Sequence, residues 1–291
     1  MQPLVTIAIP FYNNQDTILD SVKSVFLQTY PNWELLLLND GSRDNSLSLV
    51  ENIKDNRVKI ISDDVNRGLV YRLNQIPKFA SGTYLARMDA DDLMHPDRIS
   101  KQMEVLLADS DIDVVDTGTY SIDEIGNPVG IRGLDAIQDD PNKFVGKARL
   151  LHASILGKKT WFLKHPYDAN YVRAEDSELW CRTYKNSKFA RVCEPLYIVR
   201  EGKINVANYI QSVRTVQKIL LRYNYLMNKK HVWVKEFIKT YFKVGVYKLM
   251  GFFQLQHILT RRRNRLLTLA QKQLLSKLIT QIQSYDLQIL D

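Results

Sequence analysis

The sequence predicts an α/β fold, a Rossmann-like and mostly parallel sheet flanked by helices, followed by an all-helical C-terminal extension. Three observations carry this. The runs Val5-Thr6-Ile7-Ala8-Ile9 and Trp33-Glu34-Leu35-Leu36-Leu37-Leu38 read as buried strands. Strand-like and helix-like segments then alternate at the spacing of a parallel sheet. From about Asn205 the pattern is helical only. We therefore divide the chain into residues 1–204, an α/β unit, and residues 205–291, a basic helical region.

The first strand ends at Pro10, and Phe11-Tyr12-Asn13-Asn14 forms a polar-aromatic turn. Asp16-Thr17 is placed to cap a helix whose apolar positions are Ile18, Val22, Val25 and Phe26. Tyr30-Pro31 stops it, and the second strand runs into Asn39-Asp40-Gly41-Ser42. A helix from Asp44 to about Lys54 precedes a third strand, Val58–Ile61, which ends at Asn66-Arg67-Gly68. Leu69 to Ala80 is helical, and Ser81-Gly82 turns into a fourth strand. His95 to Ala108 reads as a helix, Asp111–Val115 as a strand, and Tyr120–Ile131 as a hairpin. Pro141–Leu150 reads as a helix, His152–Leu156 as a strand, and Phe189–Val192 and Leu196–Val199 as two short strands.

The fourth strand ends in Met88-Asp89-Ala90-Asp91-Asp92. Residues i and i+2 of a strand share a face, so Asp89 and Asp91 project together. Carboxylates this close repel unless a cation lies between them. A divalent ion is the natural candidate, because hard cations take carboxylate oxygens and leave room for phosphates. The competing reading is an acidic turn capping the helix at His95-Pro96. In open α/β sheets ligands bind at the carboxyl ends of the strands. Four polar loops converge there: Pro10–Asn13, Asp40–Ser42, Asn66–Arg72 and Asp89–Asp92. No G-x-G-x-x-G and no P-loop pattern is present, which argues against a dinucleotide-binding Rossmann unit.

Composition bounds the rest. With 45% hydrophobic and 25% charged residues in 291, the chain is ordinary and globular. Cys181 and Cys193 lack metal-ligand spacing and read as reduced, buried thiols rather than a disulfide. The amino terminus lacks a basic n-region, so no signal peptide is expected. The net charge of +8 is uneven: residues 201–291 hold 16 Lys+Arg and 4 Asp+Glu, a net of +12, which leaves −4 for the remainder. Lys235, Lys239 and Lys243 recur at helical spacing among aromatic residues, and Arg261-Arg262-Arg263 follows. No uninterrupted apolar run reaches transmembrane length. The tail is expected to lie on a membrane surface. Its alternatives are packing on the body or contact with another subunit. A nucleic-acid partner is not expected, because no binding module accompanies the basic residues.

Taken in order, Ile9-Pro10-Phe11-Tyr12-Asn13, Asn39-Asp40-Gly41-Ser42-Arg43-Asp44, Asn66-Arg67-Gly68, Met88-Asp89-Ala90-Asp91-Asp92 and Glu175-Asp176 resemble the motif series of the inverting family-2 glycosyltransferases with the GT-A fold. The resemblance covers residues 4 to about 200. It implies that Pro10, Tyr12 and Asn13 cradle the base and ribose of a nucleotide-sugar donor, and that Asp40 accepts from a uracil N–H. It places Arg72 near the base and diphosphate, with pairing to a helix carboxylate as the structural alternative. Asp89 and Asp91 become the D-x-D pair, binding the ribose and, through Mn²⁺ or Mg²⁺, the diphosphate. Asp176 becomes the catalytic base. Glu175 and Glu178 are rivals for that role, and an N-cap is the structural alternative for Asp176. Arg200 and Lys203 fall where the family often closes a loop over the diphosphate. His152 and Trp180 are expected to be structural, and Trp161 either packs an acceptor sugar or belongs to the core.

The expected activity is transfer of a hexose from a UDP-sugar to a hydroxyl of a saccharide acceptor, lipid-linked, in polysaccharide or glycolipid biosynthesis. The expected location is cytoplasmic, peripheral at the inner face of the cell membrane. The alternatives are the same chemistry with dTDP-rhamnose or GDP-mannose, or a non-catalytic nucleotide-sugar or membrane-binding module.

Overall fold

A computed structural model describes residues 2–146, 149–202, 205–254 and 264–288. The strands are β1 Val5–Phe11, β2 Trp33–Asp40, β3 Val58–Asp63, β4 Tyr84–Arg87, β5 Leu93–Met94, β6 Ile112–Ile122, β7 Pro128–Arg132, β8 Leu156–Lys158 and β9 Lys188–Arg200. The helices are α1 Ile18–Phe26, α2 Ser46–Glu51, α3 Leu69–Phe79, α4 Arg98–Ala108, α5 Pro141–Phe144, α6 Lys159–Lys164, α7 Glu175–Thr183, α8 Val206–Arg222, α9 Lys230–Phe252 and α10 Leu269–Gln283.

One sheet runs in the order β3-β2-β1-β4-β8-β6-β9-β5, with β7 paired to β6. Its first four strands are parallel, as expected. Beyond β4 the short β8 joins antiparallel, β6 and β9 run parallel to each other, and β5 returns antiparallel on β9. Every residue of β1 and β2 is buried, because helices cover both faces. One core lies under α1 and α4, around Ile7, Ile9, Val22, Leu35 and Met103. The other faces α3, α6 and α7, around Leu36, Leu38, Ile76, Trp161 and Trp180.

Four local expectations change. The aspartate cluster does not cap the next helix: β5 intervenes, and Asp97 stands before α4. His152 lies in a 3-10 turn, with the strand beginning at Leu156. The helix expected over residues 141–150 stops at Phe144, and Gly146 follows with φ +70°. The two short strands after α7 are one bent strand, β9. Pro195 lies within it opposite Gly118, where the pairing register with β6 shifts. Proline cannot donate to a ladder, so it breaks the apolar alternation and makes one strand read as two.

The amino ends of the parallel strands meet at Glu34. Its carboxylate accepts from Thr6 Oγ1 (2.6 Å), Ser81 N (2.5 Å) and Lys59 Nζ (2.7 Å). Burial pushes this carboxyl up, but the bonds from Lys59, Thr6 and Ser81 outweigh it and hold the pKa down at about 2.

The tail helices pack on the body. In α10, Leu275, Ile279 and Ile282 share a core with Leu93, Ile122 and Ile198. In α8, Ile219 and Leu220 pack with Tyr171, Ala174 and Cys181, and Tyr223 just beyond it donates to Glu178 Oε1 at 2.6 Å. Both cysteines are free thiols; Cys181 is buried as expected, but Cys193, on β9, is exposed. The far side of α9 leaves Ile238, Tyr241, Phe242 and Leu249 exposed among Lys235, Lys239, Lys243 and Lys248. Among the described residues no helix is long and apolar enough to cross a membrane.

Candidate active site

The carboxyl ends of β1, β2, β3 and β4 lie side by side, and their loops are laced together. Asn13, at φ +54°, donates its amide to Ser42 Oγ, and its side chain accepts from Arg43 N. Gly41 sits at φ +72°, where a side chain would meet Asn66 N at 2.9 Å, so only glycine lets the two loops close. Thr17 and Ser21 of the α1 region donate to Ala90 O at 2.9 and 2.8 Å, pinning the aspartate loop against α1. Pro10 is buried in the last turn of β1, and Tyr12 projects from the rim, 41% exposed.

Asp40 is buried and heavily engaged. Its Oδ1 accepts from Arg67 N (2.9 Å) and Arg72 Nε (2.7 Å), and its Oδ2 accepts from Gly68 N (2.9 Å). Two oxygens offer about four acceptor positions, so one remains, on Oδ2. Arg72 is fully buried. Its guanidinium donates to Asp40, Asp63, Gln75 Oε1 and Val65 O, which uses its N–H groups within the protein. Arg72 therefore sits beneath the loops and orients Asp40, with no donor left over for a phosphate. Asp63, held at about 2 chiefly by Arg72, is the partner that reading the sequence missed.

Asp89, Asp91 and Asp92 place carboxylate oxygens within 4.8 Å of one another. Asp91 is exposed, Asp89 is half-buried and accepts from Arg87 Nη2 at 2.5 Å, and Asp92 is 3% exposed and accepts from Arg200 N at 2.8 Å. Asp92 thus ties the aspartate loop to the end of β9, a larger part than a turn residue. Desolvation and the neighbouring carboxylates raise the pKa of Asp91, and raise that of Asp92 well above the usual range. Three oxygen donors crowded in this way fit a hard divalent cation.

Arg87 is the central residue that the sequence did not single out. A charged residue in a buried strand was its signal. It is 6% exposed, and its Nε lacks a hydrogen-bond partner among the described residues. Its charge acts on Asp89 and on both Glu175 and Asp176, so the D-x-D carboxylate and the second acidic pair share one cation. Arg98, fully buried behind it, donates to Arg87 O at 2.8 Å and holds the strand end.

The second acidic pair opens α7. Asp176 is half-buried in the first turn of α7, two residues after the N-cap position Ala174, and is raised by burial against the opposing pull of the Ser177 amide and Arg87. Glu175 is more deeply buried. Glu178 is 1% exposed and is engaged by Arg182 Nε at 3.0 Å and by the Tyr223 hydroxyl. Of the three, Asp176 alone also lines an open groove. His152 bonds the Tyr167 hydroxyl at 2.8 Å, and burial followed by Arg87 lowers its pKa, so it is neutral. Trp161 donates to Ser187 Oγ inside the core, and Trp180 is fully buried. Arg200 reaches Asp91 O and Glu124 O at 3.1 and 3.0 Å, across the edge of the aspartate loop. Lys203 and Arg261–Arg263 lie outside the described residues.

The family model described as glycosyl transferase family 2 matches residues 6–166, which hold the four loops at the carboxyl ends of β1–β4 and the aspartate cluster, but not the second acidic pair of α7 or Arg200. The chain belongs to that family. The putative glycosyltransferase EpsE of Bacillus subtilis is 32% identical over 206 residues, spanning 68% of this chain and 73% of EpsE. WfgD of Escherichia coli, described as a UDP-Glc:alpha-D-GlcNAc-diphosphoundecaprenol beta-1,3-glucosyltransferase, is 29% identical over 65% of this chain and 73% of its own. Among solved structures, S. aureus TarS 1–349 superposes with a TM-score of 0.62 at 16% identity, over 82% of this chain and 72% of TarS. PcManGT of Pyrobaculum calidifontis, in complex with GDP-Man and Mn2+, gives 0.62 at 16% identity over 86% and 74%. At these identities the two structures establish the fold, which is GT-A. This family-2 glycosyltransferase therefore carries its motif residues on the carboxyl edge of a GT-A sheet.

Proposed function

We propose that this glycosyltransferase moves a hexose from a UDP-sugar to a hydroxyl of a lipid-linked saccharide, with inversion and with Mn²⁺ or Mg²⁺ bound. The observation that carries the reading is the crowding of the Asp89, Asp91 and Asp92 carboxylates within 4.8 Å of one another, with Asp89 bonded to Arg87, whose charge also acts on Glu175 and Asp176. Residues 1–204 hold donor and base in this reading, and residues 205–291 supply the surface facing acceptor and membrane.

Tyr12 stacks on the base, and Pro10 and Asn13 shape the turn around it. The one remaining acceptor position on Asp40 matches the single imide N–H of uracil or thymine. Arg72 acts by orienting Asp40. Asp89 meets the ribose and shares the cation with Asp91. The ion, when bound, neutralises charge on the departing diphosphate. Inversion requires attack from the face opposite the leaving group. Asp176 removes the acceptor hydroxyl proton as the new C1–O bond forms and the C1–phosphate oxygen bond breaks. Burial raises its pKa, which makes it the stronger base. A UDP-sugar and a lipid-linked acceptor are supported by WfgD, named for a UDP-Glc donor and a GlcNAc-diphosphoundecaprenol acceptor, and the UDP-sugar also by TarS, solved with UDP-GlcNAc. GDP-mannose is the second reading, favoured by the PcManGT complex.

The exposed α9 side chains support a peripheral membrane position, with each surface lysine adding about 1 kcal/mol of attraction to anionic lipid. A thermal-shift screen of UDP, GDP and dTDP sugars with Mn²⁺ tests the donor. A ligand at about 100 times its Kd adds roughly 2.7 kcal/mol of stability. Stabilisation by UDP-sugars is the expected result, and none by any nucleotide would sink the reading.

A further inference from the structure

A groove of about 420 Å³ opens beside Asp176, between α7, α8 and α9. Tyr12, Asp40, Asp89 and Asp91 do not line it. Asp176 supplies a carboxylate, Val213 an apolar wall, and Arg173 and Lys243 supply cations. Arg173 is exposed, at φ +64°, and Lys243 is exposed on α9. Tyr209 lines the groove with its ring stacked on Tyr247 at 3.5 Å, which fixes its orientation.

This combination selects a ligand with two different ends. A base accepts a proton only from a hydroxyl lying against it, so the end at Asp176 is a neutral alcohol. An anion is repelled from that carboxylate and drawn to the cations. The apolar wall suits the C–H face of a sugar ring between them. Phe242, one residue before Lys243, is 74% exposed, and Tyr241 is 60% exposed, so apolar surface lies beside the cationic side chain.

We propose that this groove is the acceptor site, and that the acceptor is a saccharide carrying a diphosphate ester. Its reacting hydroxyl lies at Asp176 and its phosphates at Arg173 and Lys243. The inference rests on Asp176 being the base, as proposed above, and adds the place and charge of the acceptor.

The test uses the full-length protein saturated with Mn²⁺ and the nucleoside diphosphate selected by the donor screen. Two probes are titrated: a short-chain alkyl diphosphate ester of α-GlcNAc, and the same alkyl GlcNAc without phosphates. The diphosphate probe should bind more tightly than the neutral one. Its affinity should fall about tenfold in Lys243→Glu, where an attraction becomes a repulsion, and should vanish in Val213→Trp, which fills the groove. Nucleotide affinity, unchanged in both variants, certifies the fold. Equal binding of both probes, binding unaffected by either variant, displacement of the probe by nucleotide, or no binding to the wild type would each overturn the acceptor site. Failure of every nucleotide to bind the wild type is a different result, and would remove the transferase reading on which the site depends.

Discussion

The two edges of one sheet treat carboxylates in opposite ways. At the amino edge, Glu34 collects three short hydrogen bonds, one from a lysine, and its pKa sits at about 2. At the carboxyl edge, Asp92, Glu175 and Asp176 are all raised, with burial the leading cause in each. A carboxylate that serves the fold is satisfied by the fold. Carboxylates left crowded and under-paired store a need for a cation or a proton, which is what phosphate binding and base catalysis use. Asp40 stands between these cases: it is organised by Arg72 and two amides, with one position left open.

The contrast breaks most sharply at Asp176. Asp176→Asn should lower kcat by about 10²–10⁴-fold while leaving nucleotide affinity intact, read by steady-state kinetics and a binding titration. The acid limb of kcat/KM in the wild type should lie above the ordinary carboxylate range, because the base must be deprotonated and burial has raised its pKa. Arg87 favours the ionised form of Asp176, so Arg87→Met should shift that limb to higher pH, and Arg87→Lys should shift it less.

The amino edge is tested through stability. Glu34 has a folded pKa below its unfolded value, so its contribution is present above about pH 4.5 and is lost as pH falls towards 2. Glu34→Gln should cost roughly 2–3 kcal/mol at pH 7, measured by urea unfolding, and the penalty should shrink in acid. The raised Asp92 has the reverse sign: its ionisation opposes folding as pH rises through its folded pKa. Asp92→Asn keeps an acceptor for Arg200 N, so without metal at pH 7 it should raise Tm by a few degrees. The same change should reduce the stabilisation that Mn²⁺ provides.

Much of this was legible in the sequence. The apolar runs of β1 and β2 and the polar loops after them place the sheet and its functional edge, and Asp89-x-Asp91 is visible by spacing alone. What stayed hidden depends on pairing across long separations. Nothing local ties Arg72 to Asp63 and Asp40, so its burial beneath the loops could not be read. Arg87 looked like a strand residue, because its partners Glu175 and Asp176 lie nearly ninety positions away. Pro195 interrupted the pattern of β9, and the two residues of β5 are too few to carry a period. The tail charge was plain, but Leu275, Ile279 and Ile282, which bring α10 back onto the sheet, are indistinguishable in sequence from an unpartnered helix face.

The central claim is that the carboxyl-edge aspartates hold a divalent cation together with a nucleoside diphosphate. The most direct measurement is the melting temperature of the wild type and of Asp91→Asn, with UDP alone, Mn²⁺ alone and both together. The two ligands together should stabilise the wild type by more than the sum of their separate effects, and Asp91→Asn should lose this excess. Equal stabilisation by UDP with and without Mn²⁺, or an excess that survives in Asp91→Asn, would contradict that claim.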